Sequence, residues 1–282
     1  MYRNPKPAAH VYSALQDKEP ELFISSSMDI GEHPASNIGK SYIVSNADSV
    51  RMYQNGTLIH EYKPEDSEFE KLSHGPIMIS DYIGNRLEEG EGFSPKEAEL
   101  CKDILNYAAI YGFSKLPPKI MAKAGQVMLR YGLKYNDAYQ LYGKYVQGWG
   151  DSHKEYKFEA VKDGQVVETV VKSASNSRHL DCDVSAPMDE DGCFILKEEN
   201  SYDASAIRVT MQDQNGNQLF FLNESVVLEA EGPIEIIGPE IMQLRGGAGG
   251  TYVRTTGKPG KASLTLRAAA ASPVVISFDI RA

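Results

Sequence analysis

Cysteine is scarce in this chain: Cys101, Cys182 and Cys193 are the only three in 282 residues. Three thiols cannot build a multi-bridge framework, and none stands in a Cys-x-x-Cys pair, which argues against zinc. A Cys182–Cys193 bridge has a low prior in an intracellular chain, and Cys101 lies in a helical pattern as a small core residue. The six histidines are scattered without a His-x-x-x-His pair, so no metal site and no cofactor is expected. No run of about eighteen apolar residues occurs, so no membrane-spanning helix is expected. Clusters of Lys and Arg are missing too, and the formal net charge is -10. A protein that tracks a nucleic-acid backbone needs the opposite. The N-terminal segment lacks the apolar core of a secretory signal. A cytoplasmic location is therefore expected, although a signal upstream of Met1 would be invisible.

What is present has the balance of a soluble globular protein, 41% hydrophobic and 24% charged, and is long enough for two domains. Pro7 suits the first turn of a helix, where its missing N–H would be unpaired anyway. Ala8, Val11, Tyr12 and Leu15 follow at i, i+3, i+4 and i+7, one apolar face. So short a helix needs a partner surface, and nothing precedes it here. Residues 1–20 therefore read as a docking helix and linker, closed by Gln16-Asp17-Lys18-Glu19-Pro20.

Strand patterns begin at Leu22-Phe23-Ile24-Ser25 and recur at Ser41–Ser45, Val50–Tyr53, Leu58–Tyr62 and Pro76–Ile79. Asn55-Gly56, between two of them, is the strongest short hairpin signal, because both residues tolerate positive φ. The period then becomes helical. Ser94-Pro95-Lys96-Glu97 reads as a capping box with proline at the first helical position. Ala98, Cys101, Ile104, Leu105, Ala108 and Tyr111 share one face, ended by Gly112. Pro117-Pro118 opens a second helix that Gly132 stops, and Asn136-Asp137 can cap a third. Residues from about 87 to 146 thus form a helical insertion. Strands return at Tyr156–Val161 and Val166–Val171 around Asp163-Gly164. Beyond the polar stretch Ser173–Arg178 the pattern is all β, with strands at Ala206–Met211, Gln218–Leu222, Val226–Ala230, Gly250–Arg254, Ala262–Arg267 and Val274–Ile280. The expected architecture is mainly β: an immunoglobulin-like β-sandwich over 21–175 carrying the helical insertion, then a second β-sandwich over 176–282, preceded by one short N-terminal helix.

Several of these segments, in order, resemble glycoside hydrolase family 2, the family of many β-galactosidases. Arg3-Asn4-Pro5-Lys6-Pro7-Ala8-Ala9-His10-Val11-Tyr12 is similar to the Arg-x-Pro-Lys-x-Ala-Ala-x-x-Tyr stretch at the end of the family's catalytic barrel. Ser45-Asn46-Ala47-Asp48-Ser49-Val50 to Gly56 resembles a strand and hairpin of its immunoglobulin-like domain, and Tyr156–Val171 the closing hairpin. Tyr202–Val209, Asp213–Asn217, Glu231–Pro239, Gly249–Thr255 and Gly260–Leu266 resemble successive strands of its terminal domain. The order, and the coverage from Arg3 to Leu266, make the set specific; the helical insertion departs from the commonest family pattern. The resemblance implies the post-barrel region of a retaining β-glycosidase. Such enzymes use two carboxylates about 5–5.5 Å apart, which the resemblance places on the barrel upstream of Arg3. No catalytic residue is carried over, and no turnover is expected of this chain alone. Asn223-Glu224 matches the family's acid/base dipeptide in letters only, since it falls between β patterns.

The remaining candidates are weighed on their residues. Trp149, Tyr135, Tyr139 and Tyr142 are the carbohydrate candidates, because aromatic faces stack on sugar C–H groups. The i, i+4, i+7 spacing of the tyrosines suits equally a helix packed on the sandwich, which is the favoured reading. Asp189-Glu190-Asp191 and Glu88-Glu89 with Glu91 lack calcium-loop spacing. Arg245-Gly246-Gly247-Ala248-Gly249-Gly250-Thr251 lacks the Gly-Lys-Ser/Thr ending of a phosphate loop and reads as a flexible loop. His153 sits in a polar turn. Three functions remain open: an accessory region of a family 2 glycosidase, partnered by its catalytic barrel; a carbohydrate-binding module; and an immunoglobulin-like interaction protein. The first predicts self-association through Ala8, Val11, Tyr12 and Leu15, or packing of the N-terminal segment on an unnatural surface, when the barrel is absent.

Overall fold

The computed structural model describes residues 5–16, 18–28, 38–114, 116–146 and 154–282. These fall into two compact units, Pro5–Ala174 and Ser175–Ala282.

In the first unit, helix α1 (Pro7–Gln16) precedes strands β1 (Leu22–Ile24), β2 (Tyr42–Ser45), β3 (Ser49–Gln54), β4 (Thr57–Tyr62) and β5 (Ile77–Met78). Helices α2 (Arg86–Glu91), α3 (Pro95–Tyr111), α4 (Pro118–Tyr131) and α5 (Tyr135–Tyr145) follow, then β6 (Tyr156–Lys162) and β7 (Gln165–Lys172). The strands form a three-stranded sheet, β1-β2-β5, and a four-stranded sheet, β4-β3-β6-β7, all antiparallel. Asn55 and Gly56 have φ of 49° and 79°, and Asp163 and Gly164 have 52° and 75°. Both hairpins therefore close on two left-handed residues, whose twist matches that of the strands they join. Alternation along β6 turns Tyr156, Phe158 and Ala160 inward. They join Val50, Met52 and Tyr62, the Leu22–Ile24 strand opposite, and Leu87, Leu105 and Ala108 of the insertion in one apolar core.

The insertion lies between β5 and β6, and α3 touches α2, α4 and α5. Gly112 (φ 78°) and Gly132 (φ 72°) end α3 and α4. Two helix starts differ from the sequence reading. Ser94 holds the N-cap of α3, but its side chain makes no capping bond; Pro95 at the first helical position leaves one fewer unpaired N–H at this end. α5 begins at Tyr135, and Asp137 is its third residue, whose carboxylate accepts the Lys134 N–H at 2.7 Å. Asn136-Asp137 thus lies inside the helix and supplies only the reach-back half of a capping box.

The second unit contains β8 (His179–Val184), β9 (Phe194–Lys197), β10 (Ala204–Gln212), β11 (Ser225–Glu231), β12 (Ile234–Ile237), β13 (Ile241–Gln243), β14 (Ala248–Thr255), β15 (Gly260–Ala268) and β16 (Val274–Arg281). One sheet runs β12-β14-β10-β8 and the other β13-β11-β15-β16-β9. The pair β9–β16 is parallel, with Phe194 beside Phe278. Leu180, Val209, Met211 and Val253 of the first sheet share a core with Leu228, Leu264, Leu266 and Phe278 of the second. The molecule is thus mainly β, with a sandwich in each unit, a helical insertion in the first, and a short helix ahead of both.

Two expectations fail here. Gln218–Leu222 is a turn, not a strand: Gln218 forms a single bridge with Gln212, and the Leu222 N–H closes back on Leu219 O. Its apolar residues do not alternate, with Leu219 buried and Phe220 and Phe221 exposed in succession. The glycine-rich segment at 245–251 is a tight turn, not a flexible loop. Gly246 and Gly247 take φ of 59° and 70°, Arg245 bridges Ala248, and β14 begins there.

Candidate functional site

Helix α1 is seated on β1 and β2 by Ala14, its one buried residue, and by His10 one turn earlier. The His10 ring stacks on Phe23, with centroids 4.0 Å apart and planes 3° from parallel, and His10 Nδ1 lies 2.8 Å from Glu21 Oε1. Behind the helix, the Asn46 amide donates to Glu19 O and accepts the Glu21 N–H, fixing the linker. Ala8 and Tyr12 face solvent, Tyr12 being 70% exposed, while Val11 and Leu15 are half-buried. The inner seat is thus offset from the expected apolar stripe, which forms an outward flank. Sequence reading missed His10 because imidazole is not counted as apolar, although a flat ring buries area as well as an aliphatic chain does. His10→Ala should raise amide exchange in α1 roughly tenfold, by local opening, with a global stability change under about 1 kcal/mol. Exchange followed by mass spectrometry checks this, and unaltered exchange would show that Ala14 alone holds the helix.

The tyrosines of α5 converge on Phe113. Tyr142 packs its edge there at 5.0 Å between centroids and 76°, Tyr135 lies at 6.2 Å, and Tyr139 at 6.5 Å. Tyr142 is 3% exposed, and burial, followed by the neighbouring Tyr156 and Tyr139 hydroxyls, pushes its phenol well above the usual range. Tyr135 and Tyr139 keep 66% and 51% of their surface in water. One tyrosine is therefore core and two are available to a ligand. Trp149 and His153 lie outside the described residues.

A buried polar joint, absent from the sequence reading, fixes the entry to the insertion. Asp81 Oδ1 accepts the N–H groups of Ile83 and Gly84, both at 3.0 Å, and the Asn106 amide at 3.1 Å. Its other oxygen pairs with Lys102, and His60 Nδ1 lies 3.7 Å away. Burial works to raise this carboxyl, but the Lys102 ammonium and the two amides outweigh it and hold it below the usual carboxylate range. Arg86 donates to Ile83 O, Tyr82 O and Gln54 Oε1, while Gln54 Nε2 donates to the Tyr156 hydroxyl at 2.7 Å. These bonds tie the entry of the insertion to the sheet. No sequence motif signals it, because its members come from β3, β6, the α2–α3 region and the segment before it.

The other candidates are accounted for by local geometry. Glu91 pairs with Lys144 and accepts the Tyr145 hydroxyl, both at 2.6 Å. Asp189 accepts the Asp191 and Cys193 N–H groups and pairs with Arg281. Glu224 accepts the Ala270 N–H and Asn223 the Gly246 N–H, which makes Asn223-Glu224 a tie between turns. Among the described residues, no three His, Cys, Asp or Glu side chains group as a metal would require, and no helix is long and apolar enough to cross a membrane. All three thiols are free. Burial, with a nearby carboxylate, pushes Cys101 up to about 11 and Cys182 to about 12, so both stay protonated and unreactive.

No family model matches the chain. A β-galactosidase of Thermoanaerobacter pseudethanolicus is 25% identical over 264 residues, which is 93% of this chain but 27% of that one. A β-galactosidase sequence from Rhizobium radiobacter is 27% identical over 121 residues, 42% of this chain and 87% of that one. A solved glycosyl hydrolase family 2 member from Bacteroides cellulosilyticus superposes with a TM-score of 0.55 at 12% identity, over all of this chain and 31% of its own. The chain resembles the C-terminal region of a family 2 glycoside hydrolase. A β-glycosidase from Bacteroides vulgatus (TM-score 0.55, 12% identity, 99% of this chain, 27% of that one) and a family 2 β-glucuronidase (0.53, 14%, 99%, 22%) share the fold. The chain spans about a quarter of the first curated β-galactosidase it matches.

Proposed function

We propose that the chain is a non-catalytic accessory region of a family 2 glycoside hydrolase whose parent activity is retaining hydrolysis of β-galactosides or related β-glycosides. The observation that carries this reading is the lopsided coverage, nearly all of this chain against about a quarter of a β-galactosidase. The paired carboxylates of retaining hydrolysis belong, on this reading, to a barrel outside these 282 residues. The two sandwiches support that barrel, shape its rim or build an oligomer. The outward flank of α1, with Ala8, Val11, Tyr12 and Leu15, docks on it. Without the barrel this flank is covered by self-association. The domain limits on this reading are 1–20, 21–175 and 176–282.

The test mixes this chain with the separately expressed upstream barrel and follows aryl-β-galactoside hydrolysis, with each half alone as control. Turnover by the mixture only, at least tenfold above the barrel alone, is the expected outcome. A barrel equally active alone would remove the supporting role. Glycan binding is a second reading, favoured by the exposure of Tyr135 and Tyr139. Saturable binding to a glycan array, lost in a Tyr135→Ala, Tyr139→Ala double variant, would establish it.

A further inference from the structure

Helices α3, α4 and α5 do not close fully on one another. They leave a cavity of about 90 Å3 walled by Ile104, Leu105, Phe113, Val127, Leu133 and Leu141. The non-hydrocarbon groups on its lining are the Cys101 thiol, which stays protonated, and, at the exposed rim, the Met128 thioether, the Tyr135 hydroxyl and Lys134. Two lining residues from different helices, Ala124 of α4 and Ala138 of α5, carry only a methyl where a larger side chain would fill the gap. The volume exceeds the roughly 10–15 Å3 that one water needs, but the walls do not offer the two to four polar partners a water requires. Water gains little in such a space, and its lining forfeits the dispersion contacts that a filled core would have. The cavity is not sealed either. Met128 and Tyr135, both largely exposed, line its rim, and an unbranched thioether reshapes easily around a guest.

We propose that this cavity is a binding site for a single aromatic ring, carried by a molecule whose polar end remains in water beside Lys134. At about 90 Å3 the cavity is smaller than the apolar cavity of about 150 Å3 that takes benzene whole, so a ring enters edge-first as the exposed Met128 and Tyr135 rim gives way. The aromatic lining supports a ring, since Phe113 and Tyr135 already meet edge to face, at 69° between planes, the arrangement in which a third ring packs well. A sugar is excluded by the same walls, which would leave its hydroxyls buried and unpaired. This site shares Tyr135 with the glycan surface at Tyr135 and Tyr139 but differs from it in the ligand chemistry its walls accept, and it does not depend on the accessory role.

Benzene and indole are the probes, with galactose as the negative control, all against the full chain. Indole should raise the melting temperature saturably, and galactose should not. With methyl-labelled protein, benzene should give intermolecular NOEs to Ile104, Leu105, Leu133 and Leu141 and to no methyls of the Ser175–Ala282 unit. Ala124→Leu and Ala138→Leu, which fill the space from opposite sides, should each abolish the indole shift while keeping the native far-UV circular dichroism. Absence of a saturable shift, NOEs centred elsewhere, or undiminished binding in both folded variants would overturn the proposal. If neither variant folds, the NOEs of the unsubstituted chain decide alone.

Discussion

Asp81→Ala should lower the stability of the Pro5–Ala174 unit by about 3–4 kcal/mol, the cost of removing one partner from a buried, hydrogen-bonded charge group. Asp81 is 6% exposed and serves four donors. Truncation strands the Ile83 and Gly84 amides and the Asn106 side chain together, and leaves the Lys102 ammonium without its carboxylate. Each stranded buried donor costs roughly 1–3 kcal/mol, so the sum outweighs the gain from no longer desolvating the carboxylate. For a unit of this size the melting temperature should fall by roughly 10 °C. Lys102→Met is the contrast: Lys102 is partly solvated and the amides still hold the carboxylate, so the loss should be near 1 kcal/mol. The pH dependence has a definite sign. The folded carboxyl is held below its unfolded value of about 3.9. Its contribution is therefore fully present above that value and lost as pH falls through the folded pKa. In Asp81→Asn the stability should decline less steeply below about pH 4, which denaturant titrations across pH 2–6 would measure. Equal acid slopes in both proteins would mean that the joint does not link protonation to folding.

Gly247→Ala should cost the Ser175–Ala282 unit about 3 kcal/mol, and Gly246→Ala only about 1 kcal/mol. Both residues have left-handed φ, so the backbone penalty is common to them. The difference is the neighbour. A Cβ on Gly247 would stand 2.3 Å from Leu219 O, a main-chain atom that cannot swing aside, whereas one on Gly246 meets Phe220 O at 3.3 Å. The Gly247 amide also donates to Leu222 O, and its carbonyl accepts the Met211 N–H. Displacing this glycine thus loosens β10 and the 219–222 turn together. Urea unfolding of the pair measures the gap. Equal losses would show that conformation alone, not close approach, selects glycine at 247.

Much of the fold could be read where local chemistry decides the conformation. Asn55-Gly56 and Asp163-Gly164 supply positive φ at both turn positions, and Gly112 and Gly132 end helices because few other residues take that conformation. The strands β3, β6, β10 and β15 follow from period two. The sequence was silent where the deciding interaction is non-local. β9, β12 and β13 are three or four residues long, too short for alternation to be seen, and exist because longer neighbours pair with them. β8 is held by six register pairs with β10, although His179, Asp181 and Asp183 give it a polar look. Gln218–Leu222 carries strand-like residues, but after one bridge to β10 it closes into a turn on Leu219 O. The same limit applies to the sites. The tyrosine spacing could not separate Tyr142 from Tyr135 and Tyr139, because burial of one and exposure of the others depends on where Phe113 arrives. The Asp81 joint could not be seen at all, since its hydrogen bonds span up to about a hundred residues along the chain.

The parallel pairing of β9 with β16 sets a timetable for synthesis. Phe194 finds Phe278, its partner in the ladder, only 84 residues later in translation. At about 5–20 residues per second, β9 waits roughly 4–17 s after it is made. During that interval Phe194, Ile195 and Leu196 have only the short bridge to Pro187 and Met188 beside them, and the sheet through β15 has an open edge of the kind that recruits other chains. A nascent chain held with β15 emerged and β16 still unavailable should therefore be the point of greatest chaperone engagement, and emergence of β16 the moment at which it ends.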